Sequence, residues 1–142
     1  MAHHISVFME NKPGKLERTP EVLQEAGINI RAMSMASAGE FGVIKLLVDK
    51  PREALEALKG GRIPASLREI SVALIEDAPG ALNRLLATLS GKGINIDDTY
   101  GFILKDRALA AIVLETETSP ETARILAETG IRTLEDDEIY TL

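Results

Sequence analysis

Hydrophobic and polar positions along the chain change period in a fixed order, and they do so twice. Ile5-Ser6-Val7-Phe8-Met9-Glu10 is short, β-branched and partly alternating, as a strand with one face in a core requires. Asn11-Lys12-Pro13-Gly14 stops it in a tight loop, and a helix is expected next. In the second half Leu82, Leu85, Leu86 and Leu89 fall at i, i+3, i+4 and i+7, the narrow apolar stripe by which a helix lies on a sheet; Gly91 and Gly93 end it. In the first half Pro20 stands where the helix interior should be, at a cost of roughly 3 kcal/mol from the lost donor and the ring clash. Thr19 could instead be the N-cap, with Pro20 at the first helical position and Glu21 behind it, leaving residues 12–18 as a longer loop. Either way, this end of the first repeat should differ from the second.

Ile28–Ala36, a turn at Ser37-Ala38-Gly39-Glu40 and Phe41–Asp49 read as a β-hairpin. Ile94–Leu104 and Ala108–Glu115 around Lys105-Asp106-Arg107 repeat it. Val43–Val48 is nearly continuous in apolar residues, so it should be buried on both faces, with sheet packing or a homodimer covering the side away from the helices. Asp49-Lys50-Pro51 opens a second helix, Arg52–Lys59, and Ser119-Pro120-Glu121 opens its counterpart; Gly60-Gly61 and Gly130 close them. Ile63–Leu67, running into Glu69–Ile75, and Ile131–Leu142 each suit one further strand. Strand, helix, strand, strand, helix, strand in about 70 residues is the ferredoxin-like α+β arrangement, a four-stranded antiparallel sheet with two helices on one face.

The repetition is literal. Pro13-Gly14-Lys15-Leu16 and Gly27-Ile28-Asn29-Ile30 return as Pro79-Gly80-Ala81-Leu82 and Gly93-Ile94-Asn95-Ile96, both 66 residues later, and the same offset matches Glu10 with Glu76, Arg18 with Arg84 and Leu23 with Leu89. The 142 residues therefore divide into units expected at 1–68 and 69–142. Each is near the lower size at which a core stabilises itself.

Charge and composition narrow the function. A net charge of −6 opposes nucleic acid, whose phosphates need a basic stripe, and three Phe, two Tyr and no Trp leave no platform for stacking bases. No cysteine means no disulfide framework, thiolate metal site or Cys nucleophile. The apolar runs are far too short to span a membrane, and a cytoplasmic protein is expected. His3 and His4 are adjacent on a strand and point to opposite faces, a poor metal pair. Glu135-Asp136-Asp137-Glu138 lacks the spaced ligands and Gly of a calcium loop and reads as a solvated turn; Gly60-Gly61-Arg62 is too short for a phosphate loop and reads as a helix stop. With no placed nucleophile, base or metal cluster, an enzyme is not expected, nor is a cofactor.

The loops Asn11–Leu16 and Asp77–Leu82 carry the remaining chemistry. Each sets an amide or carboxylate two residues before Pro-Gly at a helix start, where free backbone N–H groups and the positive dipole end receive a carboxylate. A polar side chain for a cation beside N–H donors for an anion is what a free amino acid requires. Turn-building alone also explains Asn, Asp, Pro and Gly here, and Asn29 and Asn95 could simply satisfy local backbone groups.

A strand ending in Asn/Asp-x-Pro-Gly-x-Leu, a helix, then Gly-Ile-Asn-Ile opening a hairpin resembles the ACT domain, the small regulatory module of many amino-acid-metabolic enzymes. The match covers nearly the whole chain twice and is similar in particular to stand-alone tandem ACT proteins. The resemblance implies that an amino acid binds at an interface between two ACT units, using the first loop of one and the second strand of its neighbour. By motif position it nominates Asn11, Gly14, Asn29, Asp77, Gly80 and Asn95, with Leu16, Ile30, Leu82 and Ile96 as walls. It implies a non-catalytic sensor acting as a homo-oligomer, a dimer, on a partner enzyme of amino-acid metabolism. The alternative is an assembly subunit that binds such a partner without its own ligand. Gly80-Ala81-Leu82 partly resembles a phenylalanine-sensing version, but its companion Glu-Ser-Arg-Pro is absent, so the amino acid is not named.

Overall fold

A computed structural model describes residues 1–105 and 108–142. Its elements run β1 (Ala2–Glu10), α1 (Lys15–Glu25), β2 (Ile30–Ala38), β3 (Phe41–Val48), α2 (Pro51–Gly60), β4 (Ala65–Glu76), α3 (Ala81–Gly91), β5 (Ile96–Ile103), β6 (Leu109–Thr116), α4 (Ser119–Glu128) and α5 (Asp136–Tyr140). Asp106 and Arg107 of the expected second hairpin turn lie outside the described residues.

The chain forms two compact units. The N-terminal unit comprises His3–Arg68 with Asp137–Leu142, and the C-terminal unit comprises Glu69–Asp136 with Met1–Ala2. In the N-terminal unit β3 lies between β1 and β2, both antiparallel to it, from Ile5↔Leu46 to Glu10↔Phe41 and from Ile30↔Val48 to Ala38↔Phe41. A fourth lane follows from the Phe8 N–H donating to the Pro64 carbonyl at 3.1 Å. The C-terminal unit repeats this with β6 between β4 and β5, and its fourth lane is the Ala73↔Thr133 bridge. There Leu74 N–H donates to the Arg132 carbonyl at 2.8 Å and Leu134 N–H to the Val72 carbonyl at 2.9 Å. Both units have the βαββαβ order of the ferredoxin-like fold.

Each core forms where the inner faces of sheet and helices meet. Val7, Leu23, Ile44, Leu46 and Leu58 pack in the first; Ala73, Leu85, Leu89, Leu114 and Leu126 pack in the second. Removing each large aliphatic side chain from water contributes about 1.5–3 kcal/mol. Burial of β3 on both faces is realised at Leu46, Leu47 and Val48, whereas Val43 and Lys45 stay half-buried. On β6 it extends from Ala111 to Thr116.

Four expectations change. First, α1 runs straight through Pro20 and begins at Lys15, as α3 begins at Ala81; the starts coincide under the 66-residue offset, and residues 12–18 are not a long loop. Thr19 is not a cap but a buried residue on the inner face. The donor lost at Pro20 would have met the Leu16 carbonyl, and Leu16 is 37% exposed, so water can satisfy that group. Second, the α3 stripe turns by one position: Ala81, Leu85 and Leu89 are buried, while Leu82 is 46% exposed.

Third, the final strand is short. After the Thr133 bridge the chain turns into the five-residue α5, so Asp136 and Asp137 open a helix, where carboxylates oppose the positive dipole end, and Ile139 is buried. Fourth, Ser37 and Ala38 belong to β2, which leaves Gly39-Glu40 as the two-residue turn. In the second hairpin Leu104 N–H donates to the Leu109 carbonyl at 3.1 Å. Four positions separate Leu104 from Leu109 where two separate Ala38 from Phe41, so equivalent positions beyond the hairpin are offset by 68.

Candidate functional site

The β1–α1 and β4–α3 loops have the same backbone. Lys12 N–H donates to the Glu10 carbonyl at 3.0 Å and Lys15 N–H to the Lys12 carbonyl at 3.1 Å; Ala78 N–H and Ala81 N–H do the same to Glu76 and Ala78 at 3.0 and 3.2 Å. Gly14 and Gly80 occupy the N-cap positions at φ 87°, a conformation that glycine alone adopts without steric cost. Neither N-cap has a side chain to accept the first-turn N–H groups, and the first of them, at Lys15 and Ala81, turn back to the loop carbonyls just named. Leu16 and Leu82, in the first turn of each helix, are 37% and 46% exposed.

Asn11 and Asp77 stand at the mouths of these loops, both exposed. The Asn11 N–H donates to the Glu40 carbonyl at 2.7 Å and its Nδ2 to the Gly39 carbonyl at 3.4 Å, while Asp77 N–H donates to the Ala108 carbonyl at 3.0 Å. Asn29 is tied at the opposite end of its sheet: its N–H donates to Asp49 Oδ1 at 3.0 Å and its carbonyl accepts from Asp49 N–H at 3.1 Å. Asn95 is exposed just before β5. Ile30 and Ile96 pack partly against the cores of their own units.

Within one unit the nominated residues do not converge. The ladder pairs Glu10 with Phe41 and Phe41 with Ala38, whereas Asn29 precedes Ile30, the partner of Val48 at the far end. Eight residues of strand at about 3.3 Å each separate the two ends by about 26 Å. Asp77 and Asn95 are separated in the same way along β5 and β6. Gly14 and Leu16 stay beside Asn11, and Gly80 and Leu82 beside Asp77.

A groove lies beside each loop. In the N-terminal unit it holds about 550 Å³ and is lined by the end of β1, the start of α1, Phe41 and the Gly61–Pro64 turn. In the C-terminal unit about 510 Å³ is lined by the equivalent stretch of β4, by α3, Leu109 and residues 129–132. Sequence reasoning missed the arginines that edge these grooves, Arg18 and Arg62 in one and Arg84 and Arg132 in the other. The match of Arg18 with Arg84 was the available signal for two of them. Arg62 was hidden by the helix stop around it: α2 does end at Gly60, but the left-handed residue is Arg62, at φ 61°, where the second repeat has Gly130 at φ 74°.

A polar cluster in the C-terminal unit was also missed. Burial raises the Tyr100 hydroxyl pKa well above its usual value, and the Asp98 and Glu115 carboxylates raise it further. The first-repeat counterpart of Tyr100 is Ser34.

Residues 1–142 match the family model of the ACT domain pair over their whole length. Protein BT0572 from Bacteroides thetaiotaomicron has a crystal structure that aligns with a TM-score of 0.92 at 29% identity, over 99% of this chain and 96% of that one. The ligand-free regulatory subunit of aspartate kinase from Thermus thermophilus aligns at 0.65 and 20% identity, over 90% and 93% of the two chains. That of Thermus flavus aligns at 0.56 and 17%, over 92% and 94%. These last two are likenesses of fold. No curated protein matches the sequence. Among the described residues no helix is long and apolar enough to cross a membrane.

Proposed function

The chain belongs to the ACT domain pair family, and from that premise we propose that it is a non-catalytic regulatory protein that binds a free amino acid. Its ACT units are taken as 1–68 and 69–142. The observation that carries the reading is the loop built twice: Gly14 and Gly80 at φ 87°, a helix start with no side-chain cap, and an exposed leucine beside each. The ligand carboxylate meets the backbone N–H groups at Gly14 or Gly80, and the Asn11 amide or Asp77 carboxylate receives its ammonium group. Leu16 or Leu82 forms one wall. Asn29 with Ile30, or Asn95 with Ile96, completes the site from another copy of the chain in a homodimer, which the 26 Å separation within a unit favours.

Regulation then requires that the ligand bind two arrangements of the protein unequally, so that a partner enzyme of amino-acid metabolism distinguishes them. The Thermus proteins of like fold are regulatory subunits of aspartate kinase, which suggests the kind of partner. We take the compartment to be the cytoplasm and the protein to need no cofactor.

A thermal-shift screen of the twenty amino acids tests this. Binding at 100 times Kd stabilises by roughly 2.7 kcal/mol, enough to move the midpoint by several degrees. Asp77→Ala should weaken binding more than Asn11→Ala, because a carboxylate attracts ammonium more strongly than an amide already turned to Gly39. No shift with any amino acid overturns the reading, and equal losses overturn the asymmetry.

A further inference from the structure

We propose that the site of the N-terminal unit selects an amino acid whose side chain is itself a carboxylate, aspartate or glutamate, and that Arg18 and Arg62 receive this second carboxylate. The inference rests on the amino-acid site proposed above: the groove of this unit is lined by Gly14 and continues that site beyond its first loop.

Helical spacing places the first cations. Thr19 and Val22 are buried on the inner face of α1, and Lys15 and Arg18 each stand one turn nearer the helix start on the same side. Arg18 lies four residues beyond Gly14, about 6 Å of helix rise. With its α-carboxylate at the Gly14 loop, a ligand therefore reaches Arg18 with a carboxylate at the end of a short side chain. The turn after α2 supplies the second guanidinium. Gly61 comes so close to α1 that a Cβ there would lie 3.2 Å from Val22 Cγ2, one turn past Arg18, and Arg62 follows on the wall of the same groove.

Charge decides what the groove receives. Lys15, Arg18 and Arg62 line it, and Glu10 is the one carboxylate among the lining residues. Glu10 alternates with Val7 and Met9, which face the core, onto the side of the sheet away from α1, and Lys12 Nζ lies 2.9 Å from its Oε2. Arg18 Nη1 is 3.7 Å from Glu21 Oε2, too long for a hydrogen bond, and among the described residues the Arg62 guanidinium has no ion-pair partner. A zwitterion with a neutral side chain brings no net charge to this surplus, and its ammonium group is repelled by it. A second carboxylate makes the ligand a net anion and gives the guanidiniums charge-assisted hydrogen bonds.

The second repeat shows that this surplus is not a property of the shared frame. Ala81 stands where the first repeat has Lys15, Gly130 where it has Arg62, and Asp77 where it has Asn11; Arg84 keeps the place of Arg18, and Arg132 takes that of Pro64. With Glu76 and Asp77 against Arg84 and Arg132, the C-terminal site has no cationic excess and makes no such demand on a side chain. Arg62 also holds φ 61°, a left-handed conformation that strains a side-chain-bearing residue and that Gly130 adopts freely. The first repeat therefore keeps a guanidinium at the groove edge against a local steric cost.

NMR titration of the full chain with glutamate and aspartate, and with glutamine and asparagine as their neutral isosteres, tests the proposal. Saturable amide shifts are expected at Gly14, Lys15 and Arg62, with at least one of the two acids binding there at least fivefold more tightly than its amide. Arg62→Gly should remove most of that preference while the thermal midpoint holds or rises, because glycine relieves the strain. Arg18→Gln should reduce the preference as well. Amides that bind as tightly as their acids, a preference unchanged in both variants, or shifts confined to the C-terminal unit would overturn the inference and leave the amino-acid site standing. Silence from all twenty amino acids would overturn the site, and this inference with it.

Discussion

The two repeats agree in backbone and disagree in side chains. Gly14 and Gly80 share φ 87°, the irregularity between Ile30 and Ala32 recurs between Ile96 and Asp98, and the bond from Phe8 to Pro64 recurs from Leu74 to Arg132. Yet Arg62 corresponds to Gly130, Val48 and Ala54 correspond to Thr116 and Thr122, and Ser34 corresponds to Tyr100. The few positions where the chain demands a special φ or a buried aliphatic residue suffice to specify a ferredoxin-like unit. Everything between them was free to diverge, so functional differences between the halves should be sought in side chains on a common frame.

The largest effect tests whether the frame is held equally in both halves. Leu23 and Leu89 are equivalent and both fully buried, in α1 and α3. Leu23→Ala and Leu89→Ala should each cost about 2–5 kcal/mol in chemical denaturation, through lost transfer energy and the cavity left behind. Losses that differ by more than a factor of two would show that one core carries the fold and the other merely follows it.

Much of that frame was legible in the sequence, because the signals were local. Pro-Gly before each helix and Gly-Ile-Asn-Ile after it need only the residues themselves to impose a turn, and the Leu stripe needs only helical spacing. Pro20 misled because its cost depends on whether the Leu16 carbonyl can reach water, which is settled in three dimensions. The tail misled because Glu135–Glu138 reads as a turn until Ile139 is seen buried, with Asp136 opening a helix. At the site, the loops were legible and the grooves were not. Arg18 and Arg62 come from α1 and the turn after α2, and only the topology brings them together.

A smaller effect separates the two cores. In the C-terminal unit the Thr116 and Thr122 hydroxyls are buried and 2.8 Å apart, where the N-terminal unit has Val48 and Ala54. Thr122→Ala leaves the Thr116 hydroxyl short of a partner and should cost about 1–3 kcal/mol. Adding Thr116→Val, which copies the first repeat, should recover much of the loss, since replacing both partners by apolar groups can be nearly neutral. A double-mutant cycle on denaturation free energies reads the coupling directly, and additive losses would mean that the hydroxyls do not act as a pair.

The smallest effect depends on pH and belongs to the second repeat alone. The Tyr100 hydroxyl has its pKa raised by burial and by Asp98 and Glu115, so the folded protein keeps it neutral at pH values where the unfolded chain ionises it. Above about pH 10 the folded state therefore binds more protons than the unfolded state at this group, and unfolding free energy must fall with rising pH, by at most about 1.4 kcal/mol per pH unit. The stabilising contribution is complete below pH 10 and is lost as pH climbs toward the raised value. Tyr100→Phe removes the titration, so its denaturation free energy should decline less steeply than that of the parent between pH 9.5 and 11. Other groups ionise in the same range, and comparing the two slopes cancels them. Parallel slopes would mean that Tyr100 ionises alike in both states, and the contrast between Ser34 and Tyr100 would then be one of packing without electrostatic consequence.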